Sequence, residues 1–199
     1  MKKRDFLKAG LLGIGALMLP KKAQALEFYP MPSDKKWAVL FGTWCGAARD
    51  AGVWISEGMD GIAQVYDVRE KPDLSGYDHI VIGSAIRSNE VHPLLKEYLE
   101  ENKSVIEGKV RGLFAVCGNM MQPVEKEQYD AFIGYQLSPM TGAYNVPSQV
   151  FLGRITWGLM EPDVRERMQQ IPTMVEYDNL KRPECMAFGR ELLEAAGQG

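Results

Sequence analysis

Five short strand-like runs, the first nearly unbroken in apolar residues, alternate with stretches of helical spacing along the chain. The runs are residues 37–41 (WAVLF), 62–68 (IAQVYDV), 79–82 (HIVI), 112–116 (GLFAV) and 150–152 (VFL). The first, short and nearly continuous, suits a strand buried on both faces. Between them, apolar residues at 48, 51, 54, 55 and 59 recur at helical intervals over 47–59. Pro93 opens a helix over 93–102, at a first-turn position that needs no N–H. Residues 125–135 and 183–196 read as two further helices, the last amphipathic. The alternation predicts an α/β fold: a doubly wound, five-stranded parallel sheet in the order 2-1-3-4-5 with helices on both faces. Ligands of such sheets sit at the carboxyl ends of the strands, where the order reverses between strands 1 and 3.

The composition is that of an ordinary globular chain, 46% hydrophobic and 25% charged over 199 residues. It excludes a disordered chain and a disulfide-dense miniprotein. The net charge of −3 is uneven: residues 1–25 carry +5, six basic residues against Asp5, and the rest carries −8. An acidic remainder argues against nucleic acid as a partner, because phosphate binding is dominated by Lys and Arg. Three cysteines and two histidines, all scattered, predict neither a disulfide framework nor a metal site.

Residues 1–25 read as an export signal. Lys2, Lys3 and Arg4 form a charged start, and the apolar run over 9–19 is too short to span about 30 Å of hydrocarbon. Ala23-Gln24-Ala25 supplies a small-x-small cleavage site, which places the mature start near Leu26. The segment Lys3-Arg4-Asp5-Phe6-Leu7-Lys8 resembles the twin-arginine pattern, with Lys3 in place of the first arginine. The expectation is a periplasmic protein exported by the twin-arginine route, which carries folded and often cofactor-loaded proteins. No later stretch reaches 18 apolar residues, so no transmembrane helix is expected in the mature chain. Residues 26–36, with two prolines, read as a linker, and 37–199 as one domain.

Three strand ends carry the candidate site. The first strand runs through Thr43, Trp44, Cys45, Gly46, Ala47 and Ala48 into a helix. A glycine-containing turn at a helix start presents unpaired N–H groups and the positive end of a dipole, a cradle suited to phosphate. A plain tight turn is the alternative on this stretch alone. The third strand runs into Ser84, Ala85, Ile86, Arg87, Ser88 and Asn89, read as a polar loop beside the first. Two such loops can hold a flat ring, and Arg87 could balance negative charge. His92 reads as the cap of the helix opened by Pro93. The fourth strand ends at Cys117, Gly118 and Asn119, whose backbone could bond a ring edge, with Met120 and Met121 as a shield or simple packing.

Together these segments resemble the flavodoxin-like flavoproteins, nearest to the menaquinone-dependent protoporphyrinogen IX dehydrogenase family. The most specific segment is Asp78-His79-Ile80-Val81-Ile82-Gly83-Ser84-Ala85-Ile86-Arg87, followed by His92 at the next helix and Leu152-Gly153-Arg154 at the fifth strand. The resemblance covers most of 37–193. It implies a flavodoxin-like fold binding FMN, with phosphate on residues 43–48 and the isoalloxazine between 84–89 and 117–119. It also implies an oxidoreductase or electron carrier whose redox partner is a quinone or a cytochrome. The family's phosphate loop carries hydroxyls in a pattern like T-x-T-G-x-T, and Cys45 and Ala48 stand where two of them would be. Each lost hydrogen bond to a charged phosphate costs about 1.5–3 kcal/mol, which leaves a second reading open. In that reading the fold has lost FMN and serves as a binding or thiol-redox module.

The remaining chemistry is sparse. Cys45 and Cys117 are both expected near the crevice, and a disulfide would need their Cα atoms within about 7 Å. The alternative is a buried Cys117 and a partly exposed Cys45, with Cys185 a small core residue. Glu97, Glu100 and Glu101 read as a solvated face, or as a docking surface for a basic partner such as a cytochrome. Trp44, in the phosphate turn, is read either as flanking the ligand or as core, and Trp157 as core. No side chain stands out as a catalytic acid or base.

Overall fold

The computed structural model describes residues 34–118 and 123–197. The expected export signal, most of the linker, and Asn119, Met120 and Met121 lie outside the described residues.

The first apolar run is β1 (Trp37–Gly42), buried along its whole length. Side chains alternate across a strand. Trp37, Val39 and Phe41 therefore enter one core, and Ala38 and Leu40 the other. Burial on both faces is what an unbroken apolar run requires. Around it lie β2 (Ala63–Asp67), β3 (His79–Arg87), β5 (Val110–Cys117) and β6 (Ser148–Leu152), all parallel, in the order β2-β1-β3-β5-β6. Counting only the parallel strands, this is the expected 2-1-3-4-5.

Helices close both faces. On one side lie α1 (Ala47–Gly58) and the C-terminal helix, Arg182–Ala196, which pack Ala51, Ile55, Phe188 and Leu192 against the sheet. On the other lie α2 (Pro93–Glu101), α3 (Lys103–Ile106) and a continuous helical stretch over 126–141, which supply Leu95, Leu99, Ile106, Phe132 and Leu137. That stretch is α4 (Lys126–Tyr129), a π-helical segment (Asp130–Leu137) and α5 (Ser138–Thr141). Between β6 and the C-terminal helix no regular pattern marks an element in the sequence. Here the chain forms β7 (Arg154–Ile155), α6 (Pro162–Gln169) and β8 (Tyr177–Asp178), with β7 and β8 paired antiparallel. The C-terminal helix is α7. None of the described helices is long and apolar enough to cross a membrane.

The third strand does not end at Gly83: it continues through Arg87 and turns back into β4 (Glu90–Val91), which pairs with it antiparallel. Ser88 and Asn89 make the reversal with φ of 52° and 61°, the geometry of a two-residue hairpin turn, for which Asn is favoured. Residues 84–87 are thus strand rather than loop. Gly83 is not a terminator. A Cβ there would stand 1.9 Å from Phe114 Cζ, so the glycine makes room for that ring.

The α1–α7 crossing is closer still. A Cβ on Gly58 would lie 2.2 Å from the Met186 carbonyl oxygen, and one on Gly189 2.2 Å from that of Ile55. Backbone cannot retreat as a side chain can. Gly189→Ala is therefore expected to lower stability by about 1–3 kcal/mol, despite alanine's better helix propensity. Gly134→Ala, with nothing within 4 Å of the new methyl, is expected to be neutral or to stabilise by up to about 1 kcal/mol. Denaturant unfolding of the two variants checks this; equal effects would contradict it.

Candidate functional site

The carboxyl ends of β1, β3 and β5 open into a cleft of about 360 Å³, within the usual range of about 300–1,000 Å³ for small-molecule sites. Its first wall is the turn after β1. Gly46 sits at φ 79°, a left-handed conformation that glycine adopts without strain. The Gly46 N–H donates to Thr43 Oγ1 at 3.1 Å, and the Asp50 N–H donates to the Gly46 carbonyl at 3.0 Å. Ahead of that bond, the first-turn N–H groups of α1 have no helical acceptor.

The second wall is the hairpin tip. Gln136, from the π-helical segment, donates through Nε2 to the Asn89 carbonyl at 2.8 Å and accepts from the Val91 N–H at 3.1 Å. The hairpin is thereby tied to the helix that floors the cleft. Arg87 lies over the Trp44 ring at 5.6 Å, and the other neighbour of that ring is His92 at 4.5 Å between centroids. The three side chains link first wall to second. His92 is buried, which holds its pKa below the ordinary imidazole value, so it is neutral at pH 7. It caps α2 by position without a side-chain hydrogen bond.

The third wall is Val116, Cys117 and Gly118, with the Gly153 N–H donating to the Cys117 carbonyl at 2.8 Å. Residues 153–177 then form a cover that no local sequence pattern announces. Gly153, Arg154, Ile155, Met160, Glu161, Val164, Met168, Met174 and Tyr177 line the cleft from it, and Gln128 and Phe132 line it from the helix below. Three of these are methionines, whose flexible thioethers adapt to flat apolar partners.

Of the expected site residues, Trp44, Cys45, Ala47, Ala85, Ile86, Arg87, Ser88, Asn89, Cys117 and Gly118 all line this one cleft. Thr43 and Gly46 shape the turn instead of lining the cleft. Ser84 is fully buried, donating to the Ala85 carbonyl and accepting from the His92 N–H. Ala48 is fully buried in the core with Ile55 and Phe41. A hydroxyl at position 48 would enter that core rather than the cleft. Trp157 is partly exposed in a short 3-10 turn, not in the core.

No disulfide joins Cys45, Cys117 and Cys185; Cys117 and Cys185 are buried and Cys45 is partly exposed, as in the alternative to a Cys45–Cys117 bridge. The Cys45 thiol points to the Arg154 carbonyl at 3.6 Å. Burial pushes its pKa up, against the smaller opposing pull of the Ala47 N–H and the Arg154 charge. It is therefore protonated at neutral pH. Cys185 is pushed up to about 12, again by burial. Among the described residues no cluster of His, Cys, Asp or Glu could hold a metal ion.

Arg154 is the functional candidate that sequence reasoning missed as a site residue. Its guanidinium lies 3.5 Å from where a Cβ on Gly46 would stand. It pairs with Asp50 in the first turn of α1 and, at 3.6 Å, with Asp178 on β8. Asp50 also holds the more exposed Arg49 at 3.0 Å.

Comparison with known proteins agrees with this architecture. A family model described as a flavodoxin domain matches residues 38–179. No curated protein sequence matches. Among solved structures, oxidised flavodoxin 1 from Bacillus cereus is 14% identical, with a TM-score of 0.50 over 79% of this chain and 97% of that one. A WrbA-like flavodoxin from Agrobacterium tumefaciens is 12% identical, TM-score 0.51, over 82% and 98%. A Fusobacterium nucleatum flavodoxin bound to flavin mononucleotide is 11% identical, TM-score 0.50, over 82% and 98%. Identities this low speak to the fold.

The raised Cys45 pKa sets an expected outcome. Alkylation by iodoacetamide should be slow at pH 8 and should rise with a midpoint above that of free cysteine, and Cys45→Ser should remove it. A midpoint below that of free cysteine, about 8.5, would contradict the assignment of a desolvated thiol.

Proposed function

The chain belongs to the flavodoxin-domain family, and from that premise we propose that it is an FMN-binding redox protein, an oxidoreductase or electron carrier, exported to the periplasm. The observation that carries the reading is the convergence of three strand-end segments on one cleft, with the first turn of α1 at its mouth. The residues present suit the cofactor. The turn of residues 43–47 offers backbone N–H groups and the positive end of a twelve-residue helix to a phosphate. The hairpin tip and Cys117–Gly118 offer backbone groups on either side of a flat ring.

Bound FMN would supply hydride or electron transfer at its ring. The chain's part is to hold and shield it. Trp44, fixed between Arg87 and His92, presents a rigid aromatic edge. Arg87 contributes positive charge beside the ring site. Met160, Val164 and Met168 form an apolar cover that limits water. The finer reading, kinship with the menaquinone-dependent protoporphyrinogen IX dehydrogenases, is supported by the run of residues 78–87. Export by the twin-arginine route rests on residues 1–25 and accords with a protein that folds around a cofactor before transport.

A second reading, a flavodoxin fold without FMN, is favoured by one observation. Cys45 directs its thiol to the Arg154 carbonyl, so it offers the phosphate no hydroxyl. The visible spectrum of the full chain separates the readings: the two bands of oxidised flavin, present on purification or after incubation with FMN, are expected. A protein that stays colourless would overturn the first reading. Gly46→Val forces a β-branched residue to φ 79°, a genuine outlier, and flavin retention should fall sharply. Unchanged retention would show that the turn does not hold the phosphate.

A further inference from the structure

A family phosphate loop that lacks a hydroxyl at position 45 must find its anion ligands elsewhere. The described residues around the turn contain one conspicuous source. The Arg154 side chain is 11% exposed, and its Nε is buried without a hydrogen-bond partner among the described residues. A guanidinium carries five donors in a planar fork suited to phosphate. Here the carboxylates that meet it bond at Nη2 (Asp50) and, at the longer 3.6 Å, Nη1 (Asp178). Burying a charged group with a donor unmet is costly, and an arginine at the positive end of a helix is unfavourably placed unless an anion stands between. At present that anion is Asp50. Arg49 converges on the same carboxylate, and the Nη2 atoms of both arginines lie 3.5–3.6 Å from where a Cβ on Gly46 would stand.

We propose that Arg154 is the phosphate-specificity residue of this cleft: on FMN binding its guanidinium turns from Asp50 to the phosphate and supplies the charged contact that the turn's side chains lack. The inference rests on the FMN reading and deepens it. The acidic neighbours Asp50 and Asp178 hold the arginine over the turn. Asp50 is then a competitor for the guanidinium and not a ligand. The backbone of residue 154 is itself tied to the turn through the Cys45 thiol, so the arginine and the cradle form one unit.

The test compares flavins with and without the phosphate. Full-length apoprotein is titrated with FMN and with riboflavin, following quenching of flavin fluorescence. Arg154→Gln should weaken FMN binding about 10- to 100-fold, the equivalent of one charge-assisted hydrogen bond, and leave riboflavin binding unchanged. Arg154→Lys should recover part of the loss. Asp50→Asn leaves the arginine buried and intact, and should tighten FMN while leaving riboflavin unmoved; it also keeps the test alive if Arg154→Gln does not fold. An FMN-to-riboflavin preference unchanged in both variants would overturn the proposal, as would an Arg154→Gln variant that binds FMN more tightly, since the arginine would then be a plug. Wild-type protein that binds neither flavin would overturn the FMN reading and this inference with it. Wild-type protein that binds FMN with no dependence on Arg154 would overturn this inference alone.

Discussion

The burial of β1 on both faces governs the rest of the molecule. A strand with helices above and below it can present nothing chemical along its length, since every side chain is claimed by one core or the other. Function is pushed to the strand's carboxyl end, where the backbone leaves the sheet and must turn into α1. The turn is made by Gly46 in a left-handed conformation and by the Thr43 hydroxyl, which accepts the Gly46 N–H. It leaves the first N–H groups of α1 facing outward. The adjacent parallel strands put the β3 hairpin and the β5 end at the same level. The cleft is a consequence of this topology, and the cover of residues 153–177 encloses it.

Local signals carried most of the fold. The five parallel strands, their order, and helices α1, α2 and α7 follow from continuous apolar runs and helical spacing, because the interactions that decide them are burial patterns written in consecutive residues. The hairpin was hidden for a long-range reason. Gly83 and Ser84 interrupt the apolar run as a turn would, yet the glycine answers to Phe114 on the neighbouring strand and Ser84 is spanned by hydrogen bonds to Ala85 and His92. The Ser88–Asn89 pair followed by Glu90 and Val91 was the signal that could have revealed it.

The candidate site was legible to the same extent and for the same reason. The lining residues on the first three walls stand directly after apolar runs. The cover was not legible: β7 and β8 are two residues each and exist through pairing with each other across residues 155–177. Arg154 shows the limit most clearly. Its partner Asp50 is 104 positions away, and no pattern within either segment announces that they meet over Gly46.

The most direct measurement is a crystal structure of the full chain grown with FMN. The account predicts the phosphate against the turn of residues 43–47 and the tricyclic ring between the β3–β4 hairpin tip and Cys117–Gly118, under the methionine cover. Flavin bound elsewhere, or the same cleft closed over its own side chains with saturating FMN in the drop, would contradict it.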